Sequence, residues 1–180
     1  PLSRAGYLCR YLASAFLQRT QSLGREMNGE LVPDDQHVAR YIAPTHIEAR
    51  SDGPTHIDGN GFLSRPRDNG WPSVNWLELL GNQLDEQLAN TRRLARIKYG
   101  KTGVLVTLNV GRVRAHVSGG TSGQNELQTI HSPLDAEEEH EADPSHALMG
   151  PIGQVGQAEA EMIGDLIAQC IIEVFPAVSK

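Results

Sequence analysis

Several features are missing from this 180-residue chain, and each absence removes a class of protein. No run of about 18 apolar residues occurs, so no membrane-spanning helix is expected. The cysteines are two, Cys9 and Cys170, and they form no CxxC. A disulfide framework and the common zinc sites are therefore not expected, and a reducing cytoplasm is the default location. Basic residues are in the minority: 16 Lys and Arg stand against 22 Asp and Glu, a net charge of −6. That excludes binding nucleic acid over the whole surface, though not a local basic pocket. No GxxxxGK[ST], GxSxG or HExxH motif is present, and Gly59-Asn60-Gly61 lacks the third glycine and the strong preceding strand of a dinucleotide fingerprint. No cofactor and no metal are expected. His131, His140 and His146 with Asp143 match no known ligand spacing.

What is present is enough for one folded domain. Hydrophobic residues make up 39%, and the 18 glycines bring the apolar share to an ordinary value. A chain this long buries enough surface to fold without covalent staples. Residues 1–26 stand apart: Arg4, Arg10, Arg19 and Arg25 precede the first acid, Glu26. Leu8, Leu12 and Phe16 recur at helical spacing. This stretch is expected to be a helical extension, read as upstream sequence translated in frame before Met27, as a transit peptide, or as an ordinary N-terminal helix. Residues 27–180 are expected to form a single domain.

Within that domain, His37 to Ile42 alternates as a short strand. Pro44-Thr45-His46-Ile47-Glu48 returns as Pro54-Thr55-His56-Ile57-Asp58 and suggests two short turns. Phe62-Leu63 suggests a brief strand. Asn75 and Glu78 have the capping-box spacing, and Leu77, Leu80, Leu84 and Leu88 follow at helical spacing; a central helix is expected over about 75–99. Val104 to Val110 is the best strand, apolar enough to be buried. Val113, Ala115 and Val117 alternate beyond Gly111, and Leu127 to His131 reads as another strand. Residues 135–143 hold six acids in nine positions and suggest a solvated loop. Met162, Ile163, Leu166, Ile167, Cys170, Ile171 and Val174 form one apolar face, which predicts a C-terminal helix over about 157–174 with Cys170 as inert packing. The expected class is α+β: a small, partly antiparallel sheet packed against those two helices.

Three polar clusters combine reactive side chains with order-forming neighbours. One is His37, Arg40 and Tyr41. The second is Ser73, Asn75, Trp76 and Glu78. The third joins His131 to Asp143, Ser145 and His146. Histidines supply an acid and a base near neutral pH. An arginine recognises phosphate or carboxylate, and a helix start at Asn75 would offer free amides to an anion. Read plainly, each cluster could also be only caps and turns. The candidate catalytic set is His37, Arg40, Glu78 and His146. The candidate binding set is Tyr41, Ser73, Asn75, Trp76, His131, Asp143 and Ser145.

The segments Asp35-Gln36-His37-Val38-Ala39-Arg40-Tyr41, Ser73-Val74-Asn75-Trp76-Leu77-Glu78 and Asp143-Pro144-Ser145-His146 resemble a family of small uncharacterised bacterial proteins. The resemblance implies a soluble bacterial protein and no particular activity. Two functions stay in play. The first is a non-catalytic accessory or interaction protein, with the acidic stretch and the −6 charge suited to a basic partner. The second is an enzyme acting on a nucleotide or nucleic-acid phosphate through a His/Arg pocket. The interaction protein ranks first on sequence, and the oligomeric state is open.

Overall fold

The computed structural model describes residues 29–48, 55–63, 70–152 and 156–178. The predicted helix in 1–26 and most of the loop at 65–70 lie outside them. A six-stranded antiparallel sheet runs through the middle in the order β6-β7-β4-β1-β5-β8. Its strands are β1 (His37–Ile42), β4 (Ser73–Trp76), β5 (Val104–Asn109), β6 (Gln128–His131), β7 (His146–Gly150) and β8 (Ile171–Pro176). The helices are α1 (Leu84–Leu94), α2 (Val110–Gly120) and α3 (Gln157–Ala168). The class is α+β.

Strand alternation sorts the side chains onto two faces. On one face Val38, Ile42, Val74, Trp76, Val106 and Leu108 pack with Val113 and Val117 of α2 and Ile163 and Ile167 of α3. On the other, Leu105, Tyr41 and Phe175 pack with Leu84, Leu88 and Tyr99 around α1. β5 is covered on both faces and paired on both sides, so four of its six residues, Val104, Leu105, Val106 and Leu108, are apolar. The two copies of the internal echo meet. Ile47–Glu48 (β2) pairs with His56–Ile57 (β3), with Ile47 opposite Ile57, as a small second sheet.

Several expectations need correcting. The helix expected from 75 begins only at Leu84. Asn75 and Trp76 belong to β4, where Val74 and Trp76 alternate into the core and both strand edges find partners. Leu77–Leu79 form a single 3-10 turn, and Gly81, at φ +144, breaks the chain before α1. Asn75 therefore caps nothing and opens no helix terminus to an anion. The helix expected to 174 stops at Ala168, and Ile171–Pro176 turns back as β8. Its β-branched and aromatic residues suit pairing with β5 better than a further helical turn. Residues after Gly111 are helical, not extended. Val110, Val113 and Val117 form the buried stripe, and the Asn109 side chain accepts from the Arg112 amide at 2.9 Å as a cap. Phe62 ends a 3-10 turn, Gly59–Phe62, instead of starting a strand. The acidic stretch is a hairpin held by bridges between Leu134 and Asp143 and between Glu137 and His140.

Candidate functional site

A hollow of about 170 Å³ opens on the α1 side of the sheet. Strand register builds its floor. Asn75 of β4 lies between Ala39 of β1 and His146 of β7. Ser73, Asn75 and His146 therefore share the face that carries Tyr41. The chain leaving α1, from Leu94 to Tyr99, forms one wall, and Leu134 and Asp143 at the base of the acidic hairpin form another.

His146 is gripped on one side and presented on the other. Its Nδ1 lies 2.6 Å from the Ser132 carbonyl and its Nε2 lies 3.1 Å from Ser73 Oγ. A carbonyl only accepts, so Nδ1 must carry the proton. In the neutral ring Nε2 then holds the lone pair, and the Ser73 hydroxyl donates to it. The result is a hydroxyl–imidazole–carbonyl chain ordered in one direction. Ser73 is itself exposed at the start of β4.

Beside it is a buried acid network. Asp143 is 4% exposed and Ser145 is fully buried. Asp143 Oδ1 accepts from the Ser145 amide at 3.0 Å and from its hydroxyl at 2.6 Å. Asp143 Oδ2 accepts from Asn75 Nδ2 at 3.0 Å, and Asn75 Nδ2 also donates to Ser145 Oγ at 2.9 Å. Asp143 thus bonds its own turn and, across the sheet, β4. The rest of the hairpin is held by Arg93 of α1 and by Arg96 just beyond it: Arg93 pairs with Glu141, and Arg96 pairs with Glu137 and donates to the Asp135 carbonyl.

Two wall residues matter electrostatically. The Arg96 Nε is buried and has no hydrogen-bond partner. An orphaned donor of this kind is a local cost to stability. Tyr99 stacks on Tyr41 with ring centroids 4.5 Å apart. Burial, and then the negative charge of Asp143, push the Tyr99 hydroxyl from 10.0 up to about 12. Tyr99 therefore remains a proton donor at any physiological pH. The Tyr41 hydroxyl accepts from the Gly100 amide at 2.8 Å, which ties this wall to β1.

The other sequence candidates are placed elsewhere. Arg40 borders the hollow, but register puts its side chain on the opposite face with Val38 and Ile42. It is 8% exposed, and its nitrogens donate to the carbonyls of Gly61 (3.1 Å), Ser73 (2.7 Å) and Leu63 (3.4 Å). It braces the loop at 59–63 against β4. His37 and Glu78 pair with each other outside the hollow: the Glu78 carboxylate takes the His37 amide at 2.9 Å and lies 2.9 Å from its Nδ1. His131 packs edge-on against Trp76 with centroids 5.3 Å apart, and its Nε2 meets the Pro144 carbonyl. Trp76 Nε1 reaches Gln36 at 3.3 Å. The hollow therefore gathers Tyr41, Ser73, Asn75, Asp143 and His146, with Ser145 bonded behind them, and leaves His37, Glu78, Trp76 and His131 outside.

Tyr99, Arg96 and the Ser132 carbonyl were not foreseen. The first two fall at the end of the helix expected over about 75–99, and the third is main chain, which carries no sequence signal. Among the described residues no group of His, Cys, Asp and Glu could hold a metal ion. No helix among them is long and apolar enough to cross a membrane. Comparison with protein-family models, with curated proteins and with solved structures finds no match.

Proposed function

We propose that the chain is an enzyme acting on a small phosphate ester of nucleotide size or less, with His146 as its acid–base group. One observation carries this reading. The imidazole is fixed by a carbonyl on one nitrogen and offers the other to a hydroxyl, in a hollow also lined by Arg96 and Tyr99. A cavity of roughly 150 Å³ accommodates one benzene ring. A hollow of about 170 Å³ therefore admits a phosphoryl group and its bridging atoms, with the rest of the ester outside. The protonated Tyr99 is the donor suited to phosphoryl oxygens, and the Arg96 guanidinium, paired with Glu137, adds positive charge to the wall. The chain would work in a reducing cytoplasm, where the buried Cys170 stays a free thiol. The test is turnover of a panel of phosphate monoesters and diesters by the full chain and by His146→Gln. Loss of the acid–base group is expected to cost at least about 100-fold. Absence of turnover across the panel, or equal rates for the two proteins, overturns the reading.

A second reading, a non-catalytic interaction protein, is supported by the sheet edge. β8 ends the sheet among the described residues, and Ile172 and Val174 on it are exposed. Such an edge invites another strand. The acidic stretch supports this reading less than its composition suggests, because Glu137 and Glu141 are engaged by the chain's own arginines. Sedimentation of the full chain with Val174→Lys as control separates the two: an assembly that the lysine disperses favours the interaction protein.

A further inference from the structure

We propose that Ser73 is the nucleophile of this site and carries the phosphoryl group as a phosphoserine between two half-reactions. The inference rests on the phosphate-ester reading above and goes beyond it by assigning a covalent intermediate.

Three observations support it. First, the proton of the Ser73 hydroxyl is directed at a base. The Ser132 carbonyl holds the proton on His146 Nδ1, so Nε2, 3.1 Å from Ser73 Oγ, is the atom that accepts. Second, the serine is exposed yet rigidly mounted. Its strand is paired with β1 on one side and β7 on the other, and its own carbonyl accepts from Arg40 Nη1 at 2.7 Å. Arg40 is thus a positioning residue for Ser73 and no part of the reacting set. Third, the hollow into which Ser73 faces its histidine is also lined by Arg96 and by Tyr99, whose hydroxyl keeps its proton. That donor suits the charge that develops on phosphoryl oxygens.

In the first half-reaction Ser73 Oγ attacks phosphorus, and the Oγ–P bond forms as the bond from phosphorus to the leaving oxygen breaks. The Ser73 proton passes to His146 Nε2 and from there to the leaving alkoxide, which departs as the alcohol. In the second, Nε2 takes a proton from water, the water oxygen bonds to phosphorus, and the Oγ–P bond breaks. The proton returns from Nε2 to Ser73, and inorganic phosphate leaves. Phosphorus keeps its oxidation state throughout, and water is the one co-reactant.

The experiment is rapid acid quench of the full chain with p-nitrophenyl phosphate, followed by intact and peptide mass spectrometry. It is paired with partitioning between water and added glycerol for several leaving groups. The inference predicts one phosphoryl group, located on Ser73, and a glycerol-to-water product ratio that does not depend on the leaving group. Ser73→Ala, with an unchanged circular dichroism spectrum, is expected to lose both the adduct and turnover to background. Turnover that survives in Ser73→Ala within a fewfold, with a product ratio that varies with the leaving group, overturns the inference and leaves the phosphate-ester reading standing. No turnover by the unsubstituted chain overturns both.

Discussion

Asp143→Ala should be among the most destabilising single substitutions on the α1 side of the sheet. The carboxylate accepts three hydrogen bonds, from the Ser145 amide, the Ser145 hydroxyl and Asn75 Nδ2. Removing it leaves the amide and hydroxyl of a fully buried serine without their acceptor. Asn75 keeps its bond to Ser145 Oγ, so its loss is partial. Each orphaned buried group costs about 1–3 kcal/mol. Relief of the desolvation penalty on the carboxylate offsets part of that sum. The net expectation is a loss of about 3 kcal/mol, a substantial share of the 5–15 kcal/mol typical of a folded domain. Urea unfolding of Asp143→Ala, Asn75→Ala and the double variant reads it directly. The cycle should give a coupling of about 1–2 kcal/mol between the two positions. A loss below about 1 kcal/mol in Asp143→Ala, with additive single effects, refutes the claim that this network fixes the hairpin to β4.

Other expectations follow from the same structure. Gly59 and Gly164 bring the 59–62 turn against α3: a Cβ on Gly59 would lie 2.5 Å from the Asp165 main-chain nitrogen, and one on Gly164 would lie 2.9 Å from the Gly59 carbonyl carbon. Gly59→Ala should therefore destabilise by about 1–3 kcal/mol in thermal unfolding, and a neutral result contradicts the close approach. Cys170 is 1% exposed and burial pushes its thiol pKa up, so iodoacetamide should leave it unmodified in the native protein and reach it only in denaturant. Peptide mapping that finds Cys170 alkylated at the rate of a free thiol counts against that burial. The Tyr99 hydroxyl keeps its proton in the folded state to about pH 12, against 10.0 ordinarily, so its contribution to stability is complete below pH 10 and lost as pH rises toward 12. Tyr99→Phe should flatten the fall in denaturation midpoint over that range, and equal slopes refute the assignment.

The elements whose local pattern agrees with their surroundings were legible in the sequence. β1 alternates because its two faces meet different layers, and Val104, Leu105, Val106 and Leu108 make β5 mostly apolar because both faces are covered. The residues around Asn75 were not legible, because a capping-box spacing and a short buried strand can share the same letters. What decides is the presence of β1 and β7 on either side, which only the folded chain supplies. The run from Ile163 to Val174 misled for a similar reason. Ile163 and Ile167 continue a helical stripe, but Ile171 onward pairs with β5, and tertiary pairing outweighs helical spacing. The helix after Asn109 carried a readable sign, the asparagine cap, beneath the alternation of Val113, Ala115 and Val117. At the site, residue types pointed to Ser73, Asn75, Asp143 and His146. Nothing in the sequence separated them from His37, Arg40 and Glu78, which face or pair elsewhere.

The central claim is that His146 is held as a base toward Ser73, and its tautomer tests this most directly. Long-range proton–nitrogen correlation spectra of the nitrogen-15-labelled chain should show the neutral His146 ring with its proton on Nδ1 and a bare Nε2, as the Ser132 carbonyl demands. In Ser73→Ala the proton should stay on Nδ1 while the Nε2 shift moves with the loss of its donor. A proton found on Nε2, or a ring averaging freely between tautomers, contradicts the account.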